Sequence, residues 1–273
     1  MLRHITKLGC ALVALASPVT AQENSIPMGV NVIELLPGWR TVSGSQMAAV
    51  HISLKTGWKT YWRVPGNTGI PPTFNWDGSS NMASAIIHWP APKVYTKDGI
   101  TTIGYKGDLV LPIEFQPIVA GQKITVKSLL ELGVCSDVCV PVSASIQADL
   151  TSRESAYRDI IKTALAALPR PANASGVQSV TCTIEPGEDG VTITASVLFN
   201  KTAPMLQQSV IEYPQPNTWV EQARMQTAGK TINATARLIS YTDTPLIIDR
   251  SKLRLTLIGE TGAIDIRDCP APE

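Results

Sequence analysis

ELGVCSDVCVP, residues 131–141, decides how this chain is read. Cys135 and Cys139 stand in it with three residues between them. Upstream, Ile124 to Leu132 is largely apolar and opens with the β-branched Ile124, Thr125 and Val126. Downstream, Val140 to Leu150 alternates apolar with small or polar residues. Both flanks predict strands. The cysteines therefore sit on a short strand-to-strand connection, where two thiols reach each other and a partner reaches them.

The start of the chain sets the compartment. Arg3, His4 and Lys7 precede an apolar run, Leu8 to Ala16, and Val19-Thr20-Ala21 is a small-residue cleavage signature. This predicts a signal peptide over residues 1–21, cut near Ala21, and an exported, periplasmic protein. The run is too short to span a bilayer, and no later segment carries about eighteen uninterrupted apolar residues. An uncleaved N-terminal anchor is the competing reading. Cys10 leaves with the signal, so Cys135, Cys139, Cys182 and Cys269 remain. An even count in an exported protein predicts disulfides. Lys plus Arg total 23 and Asp plus Glu total 22, a balance that gives no reason to expect nucleic acid or an anionic membrane as partner.

Outward from the cysteines, strand patterns recur at Gly29 to Leu36, Met47 to Lys55, Thr73 to Trp76, Ala85 to Trp89, Ile103 to Lys106 and Leu109 to Gln116. In Met47 to Lys55, Val50, Ile52 and Leu54 define the apolar face. His51 falls on the other and reads as a solvated residue rather than a ligand. GWKTYWRVPGNTGIPP (57–72) and WPAPKVY (89–95) read as aromatic, proline-rich loops. Most of their rings fit a sandwich core. The sharper expectation is that Trp58, Tyr61, Trp62, Tyr95 and Tyr105 wall the thiols.

Composition shifts at Thr151. Thr151 and Glu154 make a capping box, and Tyr157, Ile160, Ile161, Ala164, Leu165 and Leu168 share one helical face that ends at Pro169. Pro169 to Gly176 reads as a linker. Strands resume at Val177 to Ile184, Val191 to Phe199, Val210 to Tyr213, Thr231 to Ile239, Leu246 to Leu257 and Ala263 to Arg267. The expected fold is all-β: two β-sandwich domains, over residues 22–150 and 176–273, joined by one helix and a Pro-rich linker over 151–175.

Four cysteines allow three pairings. The natural one joins Cys135 to Cys139 and Cys182 to Cys269. The second bridge closes about 88 residues and is worth roughly 4.6 kcal/mol of chain entropy; the first closes about five and is worth roughly 2 kcal/mol. Cys182–Cys269 is therefore expected to be structural. Three readings of Cys135 and Cys139 stay open: reversible dithiol chemistry, a permanent hairpin clip, and a metal site. Zinc prefers four ligands, and besides carboxylates the mature chain offers only His51 and His88. Copper would need Met47 or Met82, neither spaced near the pair. No cofactor or metal is expected. Asp137 either disfavours a neighbouring thiolate or simply forms the turn.

GWKTYWRVPGNTGIPP, WPAP, IGYKGDLVLP (103–112) and VCSDVCVP (134–141), in that order, resemble the N-terminal periplasmic domain of DsbD-type thiol:disulfide interchange proteins, in the ScsB-like branch. The likeness covers Gly29 to Leu150; Val177 to Cys269 resembles the second β-domain of that branch. It implies an immunoglobulin-like first sandwich whose Cys135/Cys139 pair takes reducing equivalents from a membrane donor. The pair passes them to periplasmic thioredoxin-like or other disulfide-containing proteins, with Cys139 attacking and Cys135 resolving. Full-length relatives carry a membrane domain and a thioredoxin-like CxxC domain; this sequence shows neither, so the donor is expected on a separate chain. Asn67 stands where many relatives are expected to hold an acid.

Overall fold

Residues 27–151, 155–188, 190–242 and 246–272 are described by a computed structural model. The predicted signal peptide and Glu154 of the predicted capping box lie outside them.

The first part of the chain folds as β1 (Val30–Arg40), β2 (Gln46–Leu54), β3 (Lys59–Gly66), β4 (Thr73–Asn75), β5 (Met82–Ile87), β6 (Lys93–Lys97), β7 (Ile100–Lys106), β8 (Asp108–Pro117), β9 (Ile124–Cys135) and β10 (Cys139–Leu150). One sheet runs β1-β2-β8-β5; the other runs β10-β9-β3-β7-β6, with β4 also on β9. Strand alternation aims Val50, Ile52, Leu111, Ile113 and Phe115 of the first sheet at Trp62, Ile103, Val126, Leu130, Leu132 and Val134 of the second, all at most 1% exposed. This is an immunoglobulin-like sandwich.

Strand β3 lies where the sequence pattern predicts a loop. Tyr61 and Trp62 are adjacent yet both buried, at 1% and 0% exposure, so the alternation that marks a strand is hidden. β3 nonetheless lies between β9 and β7, where ladder hydrogen bonds satisfy its backbone.

The helix α1 (Arg158–Ala166) begins later than the capping-box reading placed it, with Tyr157 at its N-cap and no side-chain cap bond. Ser155 fixes the entry instead: its hydroxyl donates to the Pro37 carbonyl and accepts from the Tyr157 N–H. α1 lays Ile161 and Leu165 over Leu36, Met47 and Ala49. The face of β2 opposite the core is therefore partly covered, which two-strand periodicity does not reveal. His51, further along that face, is half-buried, its Nδ1 3.1 Å from Glu34.

The remainder folds as β11 (Arg170–Pro171), β12 (Val177–Gly187), β13 (Gly190–Phe199), β14 (Gln208–Glu212), β15 (Thr218–Val220), β16 (Arg224–Ala228), β17 (Thr231–Ser240), β18 (Arg254–Gly259) and β19 (Gly262–Arg267). Its sheets run β11-β19-β18-β14 and β12-β13-β17-β15, with β16 also on β17. β11 lies in the segment expected as linker, yet it pairs parallel to Ile264–Asp265 and so joins the second sandwich. The strand expected from Leu246 starts only at Arg254, after a short 3-10 turn over Arg250–Lys252 whose entry Asp249 caps.

The two sandwiches touch. Val210, Ile258 and Ala263 belong to the apolar cluster of the first core. Arg63 of β3 donates two 2.8 Å hydrogen bonds to the Glu212 carboxylate of β14, with side-chain exposures of 14% and 18%. That two-pronged geometry suits a guanidinium and a carboxylate.

Cys182 on β12 and Cys269 after β19 are bonded to each other, 2% and 4% exposed, across the two sheets of the second sandwich. Replacing both by serine should lower stability by about 4–5 kcal/mol. Denaturant unfolding followed by tryptophan fluorescence measures this; a loss under about 1 kcal/mol would show that the bridge does not hold the domain.

Candidate functional site

β9 and β10 pair without a slip from Ile124↔Leu150 to Cys135↔Cys139. The cysteines are thus directly opposite, with Cα atoms 4.1 Å apart, and they are bonded. Ser136, Asp137 and Val138 close the hairpin, the Ser136 N–H donating to the Val138 carbonyl at 3.1 Å. Side chains two apart share a face. Cys135 therefore lies on the face of Gly133 and Glu131, opposite the core residues Val134 and Leu132.

A residue on that outer face should be wet, yet Cys135 is 1% exposed while Cys139 is exposed. The cover comes from β3. Lys59 pairs with Cys135, so Tyr61, two residues on, lies beside Gly133. Gly133 carries no side chain, and that leaves room for the ring: a Cβ there would stand 3.1 Å from Tyr61 Cε2 and 2.9 Å from Ile70 Cβ. The Tyr61 O–H reaches Cys135 Sγ at 2.7 Å and Cys139 Sγ at 3.2 Å. Bonded sulfurs carry no proton, so the phenol donates. Burial pushes the Tyr61 phenol up, which keeps its proton in place.

A loop lies over the ring. Gly69 adopts φ +143° and approaches so closely that a Cβ would stand 2.4 Å from Tyr61 Cε1. The Ile70 carbonyl accepts the Gly133 N–H at 3.0 Å. Asn67 ties the root of the loop to β7: its N–H donates to the Thr101 carbonyl at 3.1 Å, and its Oδ1 accepts the Thr101 N–H at 3.0 Å. The amide thus anchors backbone at the position where the resemblance anticipates an acid.

The other aromatics expected around the thiols lie elsewhere. Trp62 points into the core beneath the Arg63 guanidinium, 3.9 Å from its ring centroid. Tyr105 is buried and donates to the Pro90 carbonyl at 2.8 Å. Trp58 packs against Gly29 and the core margin. Tyr95 sits on the outer face of β6 under the Lys106 amine. Tyr61 is the ring of the five that hydrogen-bonds the sulfurs. The reading missed Gly69, Ile70 and Gly133, whose signal is the pairing of glycines with a buried tyrosine across strands.

Asp137 is exposed and forms an ion pair with Lys97 at 3.3 Å. Met47 lies under α1 and Met82 against the main core. Among the described residues, no group of three or more His, Cys, Asp or Glu is placed to hold a metal. No described helix is long and apolar enough to cross a membrane.

A half-exposed disulfide thus lies under a donating phenol on the outer face of an immunoglobulin-like sandwich, with Cys139 open to solvent. Residues 34–151 match the family described as thiol:disulfide interchange protein DsbD, N-terminal, so the resemblance read from the sequence holds for the first sandwich. The fold is similar to that of the N-terminal periplasmic domain of ScsB from Proteus mirabilis, at TM-score 0.63 and 21% identity, over 88% of this chain and 92% of that one. No curated protein sequence matches the chain.

Replacing Tyr61 by Phe removes the donor and keeps the ring. The reduced variant should react with iodoacetamide about tenfold more slowly near pH 7, since a hydrogen bond to a charged acceptor is worth about 1.5–3 kcal/mol. The gap should close at alkaline pH. Equal rates across the pH range would show that the phenol does not stabilise thiolate.

Proposed function

We propose that the chain is a periplasmic thiol–disulfide exchange protein. It passes reducing equivalents from a membrane-bound donor to disulfide-containing periplasmic proteins, and its working centre is Cys135/Cys139. The observation that carries this reading is the asymmetry of the pair: one sulfur exposed at the hairpin tip, the other sealed beneath Tyr61.

In the reduced protein, the Cys139 thiolate attacks one sulfur of a partner disulfide. A Cys139–partner bond forms, the partner bond breaks, and a partner thiolate leaves and takes a proton. Cys135 then loses its proton and attacks Cys139 Sγ, which restores the Cys135–Cys139 bond and releases the second partner thiolate. Two electrons pass to the partner. Only Cys139 is open to a bulky partner, so it attacks and Cys135 resolves. The Tyr61 O–H lies within reach of both sulfurs and stabilises whichever carries charge.

Cys182–Cys269 offers the contrast. Both its sulfurs are buried, and the Arg250 guanidinium donates to the Cys182 carbonyl at 2.6 Å. No thiolate approaches it without unfolding, which supports a structural role.

Redox titration of the mature protein with mass-spectrometric mapping tests the reading. Cys135–Cys139 should be half reduced above about −300 mV, while Cys182–Cys269 stays oxidised. Cys135→Ser should accumulate a mixed disulfide through Cys139, and Cys139→Ser should not. A Cys135–Cys139 bond that survives strongly reducing potentials would make it a permanent clip and end the proposal.

A further inference from the structure

The sheet face that carries the disulfide also carries lysines. Lys59 pairs with Cys135 across β3–β9 and with Lys106 across β3–β7. Residues directly opposite in a ladder project from the same face. Continuing through Gly104↔Lys93 and Ile100↔Lys97 brings Lys93 and Lys97 onto that face as well. Neighbouring strands lie about 4.8 Å apart, so Lys59 is one strand from the bridge. The ion pair of Lys97 with Asp137 places Lys97 at the cysteine loop itself.

These cations are poorly compensated. Among the described residues Lys59, Lys93 and Lys106 form no ion pair. Lys59 Nζ donates to the Thr102 hydroxyl at 3.2 Å, and Lys106 Nζ rests 4.5 Å from the Tyr95 ring centroid. Burial, then the charges of Lys106 and Lys97, hold the Lys59 amine below its usual range, so the lysines repel one another. The acids nearby are Asp137, engaged by Lys97, Asp98 in the β6–β7 turn, and Glu131 further along β9. The fold gains nothing from this repulsion; carboxylates arriving from outside relieve it. Val138 and Ile100, 60% and 49% exposed, add apolar surface to the same region.

We propose that this face is the docking surface for an acidic protein partner, one that presents carboxylates beside the disulfide it exchanges with Cys139. The surface rests on the redox reading above. Lysines on the Cys135 side of the bridge draw such a partner in and orient its disulfide toward Cys139, while a basic partner is turned away.

The test uses two disulfide-linked peptides, one with glutamates flanking its cysteines and one with lysines. The reduced mature protein should oxidise about tenfold faster with the acidic peptide at low ionic strength. The ratio should fall to about twofold or less near 1 M salt, where the screening length is about 3 Å. The triple variant Lys59→Gln, Lys97→Gln, Lys106→Gln should lose the preference. Reaction with the uncharged 2-hydroxyethyl disulfide reports the intrinsic thiol reactivity of each protein, so the ratio of the peptide rates isolates docking. Equal peptide rates in the wild type, or a preference that survives in the variant, overturns the surface and leaves the redox reading standing. No reaction with any of the three disulfides removes the redox reading, and the surface with it.

Discussion

The site depends on one contact, the Tyr61 phenol seated on the Cys135–Cys139 bridge. That contact has two requirements. β3 must lie beside β9 in a register that sets Tyr61 next to Gly133, and Gly133 must carry no side chain. A one-residue slip of β3 would turn Tyr61 into the core and Trp62 out to solvent. Trp62, fully buried on the opposite face, opposes that slip, because exposing it would forfeit a large apolar burial. The core residue thus holds the site residue in place through their shared backbone.

The two bridges illustrate how burial sorts disulfide chemistry. Cys182–Cys269 closes a separation of 87 residues inside a core, while Cys135–Cys139 closes a separation of 4 at a hairpin tip. The β9–β10 ladder already aligns the tip, so the short bridge adds little order. On the proposed reading its weight falls on reactivity instead, where the exposure of Cys139 matters more than the entropy of the loop.

Much of the fold was legible because its strands alternate openly: β2, β8, β9, β10, β13 and β17 show the two-residue period along the chain. β3 was not, since both faces of that strand are covered and the period vanishes. The start of α1 was displaced because Ser155, rather than Thr151, organises its entry. At the site, the predicted export signal and the ordered motifs around the cysteines single out Cys135 and Cys139, which spacing alone does not. The choice among five aromatics is not legible in this way, because adjacent residues on a strand point to opposite faces, and only the register separates Tyr61 from Trp62. The lysine cluster is hidden in the sequence for a related reason: Lys59, Lys93, Lys97 and Lys106 are scattered along the chain and meet only through ladder pairing.

The Arg63–Glu212 pair lies two residues from Tyr61 on the same strand. Its guanidinium is mostly removed from water and satisfied by a carboxylate that the other sandwich supplies. Cut away, the first sandwich would expose the Arg63 guanidinium and the apolar surface that Val210, Ile258 and Ala263 cover, beside the strand that seats the phenol. Loss of Glu212 alone would instead leave that guanidinium buried without its partner, so a substitution in one half of the chain is felt at the site strand of the other.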